Sequence, residues 1–183
     1  GKSPADAVRV AAVILEREPS VLATRVERAH FEPLHREFPA AVLHERARCL
    51  TIERSPLPKL TRSIGVIAAG TSDLPVAEEA AVTLEIFGNP VERIYDAGVA
   101  GLHRLLGETE RLRDCAALVV VAGMEGALPS VVAGLVDKPV IALHPRLGSR
   151  ARFGGCAAFL AIPTPAGSRS TSGDFRTRLE PPP

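Results

Sequence analysis

The sequence predicts an α/β protein in which a small α/β unit precedes a parallel sheet layered with helices on both faces. Three observations carry that prediction. From Ile64 onward, short apolar runs alternate with amphipathic stretches, the order that a parallel sheet with right-handed crossovers requires. Before them, Arg54–Arg62, with Ser55-Pro56-Leu57-Pro58 at its centre, is too proline-rich for helix or strand and reads as a linker. Ahead of the linker, helical and strand patterns follow each other at short intervals. The division is therefore a unit at 1–53, a linker at 54–62, a sheet domain at 63–162 and a disordered tail at 163–183.

In the first unit, Ser3-Pro4 supplies a cap and a proline for the first helical turn, and Val8, Ala11, Ala12 and Leu15 recur at helical spacing, giving a helix over 4–17. Val21–Val26 reads as a strand and Arg28–Phe38 as a second helix. Ala41–His44 and Cys49–Ile52 read as a hairpin joined by a charged turn. The opening Gly1-Lys2-Ser3 has no starting Met and no apolar signal core, so the unit is read as truncated in front and the protein as cytoplasmic.

In the sheet domain, strands are expected at Ile64–Ala69, Val91–Tyr95, Ala117–Ala122 and Pro139–Leu143, with helices at Val76–Phe87, Gly101–Arg113 and Leu128–Val136. Ligands of such sheets bind beyond the carboxyl ends of the strands. Those ends carry Gly70-Thr71-Ser72-Asp73, the loop from Asp96 to Gly101, and Gly123-Met124-Glu125-Gly126. The first turn feeds a helix with Pro75 in its opening turn. Free amides, the helix dipole and two hydroxyls there suit a phosphate, and Asp73 suits a ribose. Ser72 and Asp73 fit equally well as plain helix caps.

Glu125 and Asp96 are candidate acids or bases at the strand ends, and Glu125 a candidate ligand for magnesium on a diphosphate. Each is also the acidic residue that a helix N-terminus favours. Gly98, Gly101, Gly123 and Gly126 read as close approaches to a ligand or as tight turns. His103-Arg104 can clamp a phosphate or lie on a solvated face.

Composition excludes several classes. With 22 basic and 21 acidic residues in 183 and a net charge of +1, no electrostatic footprint for nucleic acid is present. No apolar run approaches membrane-spanning length. The three cysteines, Cys49, Cys115 and Cys156, are widely spaced and form no Cys-x-x-Cys pair, which argues against disulfides and structural zinc. From Pro163, proline, serine, arginine and threonine dominate without an apolar period, the composition of a disordered tail.

Three long motifs carry a resemblance. They are Gly70-Thr71-Ser72-Asp73-Leu74-Pro75-Val76-Ala77-Glu78-Glu79-Ala80, Asp96-Ala97-Gly98-Val99-Ala100-Gly101-Leu102-His103-Arg104-Leu105-Leu106, and Ala122-Gly123-Met124-Glu125-Gly126-Ala127-Leu128-Pro129-Ser130-Val131-Val132. Through them the chain resembles the LarB family of nickel-pincer nucleotide cofactor biosynthesis. That family's core is similar to the PurE carboxyaminoimidazole ribonucleotide mutases. PurE proteins carry Ser-Ala-His-Arg after the second strand of the core; this chain carries Asp96-Ala97-Gly98-Val99.

The resemblance implies a flavodoxin-like, PurE-like three-layer parallel sheet. It also implies a carboxylase that acts on nicotinic acid adenine dinucleotide, with carbon dioxide or bicarbonate as co-substrate. The products would be pyridinium-3,5-biscarboxylic acid mononucleotide and AMP. A cysteine thiolate would add at C4 of the pyridinium to make C5 nucleophilic. Glu125 and Asp96 become its catalytic candidates. Gly70, Thr71, Ser72, Asp73, Gly98, Gly101, Gly123, Met124 and Gly126 become its substrate contacts. Magnesium is expected with the diphosphate and no tightly bound cofactor; the expected partner is a second copy of the chain, in an octamer-like homo-oligomer, with neither nucleic acid nor membrane.

The sequence departs from the family twice. After the fourth strand the family's Pro-Thr-Ser-Val-Gly-Tyr-Gly is replaced by His144-Pro145-Arg146-Leu147-Gly148-Ser149-Arg150. Where the family carries the nucleophile in Asn-Ser-Cys, this chain reads Thr164-Pro165-Ala166. Codons for Ile162-Pro163-Thr164-Pro165-Ala166, read from the third base of each, can spell Pro-Asn-Ser-Cys, so the tail reads as frame-shifted. Cys156 is close in sequence to the missing nucleophile, but its helical setting favours a packing role over a substitute nucleophile. The expectations that follow are a catalytically dead nucleotide-binding remnant or, as a further alternative, a PurE-type mutase.

Overall fold

The computed structural model describes residues 3–123, 126–145 and 170–172. The first unit contains helix α1 (Pro4–Leu15), strand β1 (Ser20–Ala23), helix α2 (Arg28–Glu37) and the hairpin β2 (Ala41–His44) and β3 (Cys49–Glu53). Ser3 caps α1 by accepting the Asp6 amide at 3.2 Å, with Pro4 in the first turn. The strands form an antiparallel sheet in the order β1-β3-β2. Strand β1 is shorter than the pattern suggests: Arg25 takes φ +56 and Val26 turns back to donate its amide to Arg48 O at 2.8 Å.

The central strand β3 is buried on both faces. Leu50 and Ile52 join Leu15, Val21, Leu34 and Phe38 beneath α1 and α2. The alternate residues face the other way: Cys49 packs with Ala47 against Val82 of the next domain, and Thr51 Oγ1 meets His44 Nε2 at 2.9 Å. Period-two alternation thus uses one strand to build a core and to dock it.

The sheet domain runs β4 (Ile64–Ala68), α3 (Leu74–Ile86), β5 (Val91–Ile94), α4 (Leu102–Gly107), α5 (Thr109–Asp114), β6 (Ala117–Val121), α6 (Ala127–Leu135), β7 (Val140–Leu143) and β8 (Ser170–Ser172). All pairings are parallel, in the order β5-β4-β6-β7-β8, which is the flavodoxin-like order. Val66, Ala68, Val119 and Val121 face Ala77 and Ala81 of α3. Ile67, Leu118 and Val120 face Leu105, Leu112, Leu128 and Val132 from α4, α5 and α6.

Helix α3 is apolar on more than one side because it is covered on more than one side. Ala77 and Ala81 meet the sheet, while Val82 meets the first unit. Arg93 on the edge strand β5 clamps α3 from outside, bonding Glu85 at 2.6 and 2.9 Å and Glu78 at 3.2 Å. Residues 54–63 carry neither helix nor strand; Leu60 N donates to Gly88 O at 2.9 Å, and Arg62 reaches the carbonyls of Asp114 and Cys115.

Two expectations change. The helix expected over Gly101–Arg113 is three pieces: a 3-10 turn at Val99–Gly101, then α4, then α5. Gly107 weakens the helix at that point, and the Thr109 hydroxyl bonds Leu106 O at 2.7 Å to start the next segment. Within the stretch read as a disordered tail, Ser170–Ser172 pairs with Val140–Ala142 of β7. An open edge of parallel sheet offers unpaired amides and carbonyls, and even a serine- and threonine-rich segment can supply partners.

Candidate functional site

Strands β4 and β6 lie side by side, and the chain leaves them in opposite directions, to β5 on one flank and β7 on the other. In open parallel sheets such a reversal of strand order is where a crevice forms at the carboxyl ends. Backbone bonds lace the rim: Ala97 N to Ala68 O at 3.2 Å, Ala69 N to Val121 O at 3.1 Å and Ala122 N to Leu143 O at 3.2 Å.

Gly70-Thr71-Ser72-Asp73 follows β4 as a 3-10 turn that runs directly into α3. Asp73 is 5% exposed. Its Oδ2 accepts the Gly70 amide at 3.2 Å, while its own amide donates to Gly70 O at 3.0 Å. The carboxylate therefore closes the turn and makes no capping bond to α3. The Gly70 amide is engaged, so the groups the turn presents are the exposed Thr71 and Ser72 with their hydroxyls and opening amides. Among the described residues, a Cβ built on Gly70 meets nothing within 4 Å, so that corner opens into the crevice.

Across the reversal point stands Gly123. A Cβ there would lie 2.8 Å from Asp73 Oδ1 and 3.2 Å from Pro145 Cγ. Residues from the ends of β4, β6 and β7 thus meet at one point, and a buried carboxylate forms its floor. Such a floor disfavours an anion pressed against it and favours hydroxyl or other donor groups.

The loop after β5 forms the next wall. Gly98 sits under Ala69: a Cβ would stand 2.8 Å from the Ala69 carbonyl oxygen. At 98, 101 and 123 the glycines also approach the protein's own atoms closely. Asp96 takes φ +60, its side chain is 74% exposed, and its carboxylate pairs with Arg104 at 3.2 Å. It does not converge with Asp73 on the buried floor. Gly126 begins α6 with φ +65. Met124 and Glu125, two residues of the expected site, and Cys156, expected to pack rather than to act as a nucleophile, lie outside the described residues.

Neither described cysteine suits a nucleophile. Cys49 is fully buried between the two domains, and burial, helped by Glu79, pushes its thiol up to about 11. Cys115 precedes β6, at the opposite edge of the sheet. Its thiol donates to Arg111 O at 3.3 Å and is raised first by burial. Among the described residues, no three His, Cys, Asp or Glu side chains stand together as a metal site. No helix among the described residues is long and apolar enough to cross a membrane.

Sequence reading missed two contributors to this geometry, Pro145 and the tie between Arg104 and Asp96. The second has a legible signal: a helical side chain leans toward the N-terminus, and a glycine three residues earlier leaves room for it.

The fold defines a PurE-like α/β protein of flavodoxin-like strand order, and in sheets of that order ligands bind at the reversal point. Residues 63–167 match the AIR carboxylase family model, and residues 1–54 match the LarB/PurE-like N-terminal domain. The chain belongs to the LarB family, with a PurE-like core of the AIR carboxylase type. It is 39% identical over 151 residues to an uncharacterised protein of Methanocaldococcus jannaschii, covering 77% of this chain and 58% of that protein. It is 36% identical over 80 residues to the N5-carboxyaminoimidazole ribonucleotide mutase of Pyrococcus horikoshii, covering 43% of this chain and 45% of that one. The chain spans about half the length of the curated relatives it matches.

Proposed function

We propose that this protein is a LarB-type binder of nicotinic acid adenine dinucleotide whose site is shaped for carboxylating the pyridinium ring, and that the chain as written stops at binding. The observation that carries the reading is the pairing of a LarB/PurE-like N-terminal domain with an AIR carboxylase-type core. Within that core, Asp96-Ala97-Gly98-Val99 stands where the mutases carry Ser-Ala-His-Arg. The crevice supports it, with a hydroxyl-bearing rim at Thr71 and Ser72 beside the buried Asp73 carboxylate.

Carboxylation needs a thiolate. A pyridinium carbon is electrophilic; a thiolate adding at C4 leaves a neutral dihydropyridine whose C5 attacks carbon dioxide. Loss of the C5 proton and departure of the thiolate then restore the aromatic ring. Hydrolysis of the phosphoanhydride would release AMP and the mononucleotide. Cys49 and Cys115 are too buried and too weakly acidic for the first step, and Thr164-Pro165-Ala166 replaces Asn-Ser-Cys. Magnesium, carried by the diphosphate, belongs to this proposal, as does assembly into a homo-oligomer. Leu102 and Leu106, exposed one turn apart on α4, supply apolar surface for the latter.

The test is to incubate the purified chain with the dinucleotide and bicarbonate, following small-molecule mass and AMP. Binding without mass gain fits the chain as written. Substituting Thr164→Asn, Pro165→Ser and Ala166→Cys together should produce a protein–substrate adduct. A mutase of the purine type is the second reading, favoured by the kinship with the Pyrococcus protein; turnover of carboxyaminoimidazole ribonucleotide would establish it and remove the first.

A further inference from the structure

Beside its backbone contacts, the loop from Asp96 to Gly101 is tied by the side chain of Arg104. Arg104, in the first turn of α4, folds back toward the helix N-terminus. It donates from Nε to the Asp96 carbonyl oxygen at 2.7 Å and from Nη2 to Asp96 Oδ1 at 3.2 Å. Asp96 is one of three non-glycine residues with positive φ among those described. Left-handed backbone is unfavourable for a side-chain-bearing residue, although aspartate tolerates it better than most. A two-point bond to both its backbone and its side chain offsets that cost.

Gly101 makes the reach possible. A Cβ on it would lie 2.5 Å from Arg104 Nη2 and 2.6 Å from Cζ, inside the volume that the guanidinium occupies. Asp96, Gly101 and Arg104 therefore form one device, spaced five and three residues apart. What the device orders is the wall of the crevice: Ala97 donates to Ala68 O at 3.2 Å, and Gly98 lies against the Ala69 carbonyl. Both contacts anchor the loop to the end of β4, next to the Gly70–Asp73 turn.

We propose that Arg104 is a positioning residue. It fixes the β5 loop in its ligand-ready shape by holding Asp96 in the left-handed conformation, and it does not itself clamp the ligand's phosphate. The consequence for recognition rests on the dinucleotide reading above, whereas the loop-holding claim can be read without any ligand. Two of the five guanidinium N–H donors are engaged by Asp96, and holding the loop is separable by experiment from contact with a phosphate.

The experiment compares the parent chain with Arg104→Met, Arg104→Lys and Gly101→Ala by amide hydrogen exchange and by calorimetric titration with nicotinic acid adenine dinucleotide. Arg104→Met and Gly101→Ala are expected to speed exchange at Ala97–Gly101 by about tenfold or more, with the rest of the sheet unchanged. Both should weaken dinucleotide binding by about five- to tenfold. Arg104→Lys, which keeps one donor, should recover part of both effects. Gly101→Ala is the informative variant, because it leaves the charge in place and removes only its seat. If Arg104→Met weakens binding while loop exchange is unchanged, Arg104 contacts the ligand and the proposal is overturned. Uniformly faster exchange across the sheet would overturn it too, by showing a general stabilising role. Should the parent chain not bind the dinucleotide at all, the functional reading fails, and the exchange result still decides whether Arg104 holds the loop.

Discussion

Asp73 and Gly123 meet across the point where the strand order reverses: the Asp73 Oδ1 atom stands 2.8 Å from where a Cβ on Gly123 would be. Both are fixed by their strands, Asp73 through its turn to β4 and Gly123 just beyond β6. Gly123→Ala must therefore displace either a buried carboxylate or Pro145. A loss of about 1–3 kcal/mol in stability is expected from such overpacking, together with loss of dinucleotide affinity. Gly65→Ala is the control. Its Cβ would meet Leu118 Cδ2 at 2.6 Å at the far edge of the sheet, so it should lower the denaturation midpoint and leave the affinity of the folded fraction unchanged.

Ser72 and Asp73, neighbours in one turn, should separate cleanly. Ser72 is exposed, so Ser72→Ala should leave the melting temperature unchanged and weaken dinucleotide binding by roughly 1.5–3 kcal/mol, about 10- to 150-fold, if its hydroxyl meets a phosphate. Asp73→Ala removes the acceptor of the Gly70 amide as well, and should reduce both affinity and melting temperature. Calorimetry beside thermal denaturation reads the two effects. Equal binding by parent and Ser72→Ala would remove Ser72 from the site.

Much of this organisation is legible in the sequence, and the reasons are local. Apolar runs such as Ile64–Ala68 and Ala117–Val121 have the length and branching of buried strands, and Ser3-Pro4 and Gly70–Asp73 mark helix beginnings through their own chemistry. What stays hidden depends on neighbours remote in sequence. Nothing near Asp73 reveals that its carboxylate would close its own turn and lie against Gly123, fifty residues on. Nothing near Cys49 reveals that its face of β3 docks onto Val82. The break after Gly107 follows from propensity, but whether a glycine ends a helix depends on the Thr109 hydroxyl and on packing beyond it.

His44 gives a pH signature. Burial, the leading cause, holds its imidazole below the ordinary value of about 6.5, against the opposing pull of Glu85. The folded state then binds fewer protons than the unfolded state between the two values, so stability rises with pH across that window. It is fully present above the unfolded value and is lost as pH falls toward the folded one. Denaturant titrations between pH 7 and pH 5 should show this decline, and His44→Gln should flatten it. An unchanged slope in the variant would show that His44 is not its source.

The thiols offer a test of domain docking. Cys49 and Cys115 are buried and hard to ionise, so a maleimide at neutral pH should add to the native chain at most once, and three times after denaturation, given three cysteines in the sequence. Intact mass counts the labels. Rapid native labelling of Cys49 would mean that the first unit separates readily from α3.

The most direct test is a calorimetric titration of the chain with nicotinic acid adenine dinucleotide, with carboxyaminoimidazole ribonucleotide as the comparison ligand and the reaction mixture analysed by mass. Saturable binding of the dinucleotide is predicted, weakened by Ser72→Ala, with no gain of mass on the pyridinium until Asn-Ser-Cys replaces Thr164-Pro165-Ala166. Binding and turnover of carboxyaminoimidazole ribonucleotide with no response to the dinucleotide would contradict it.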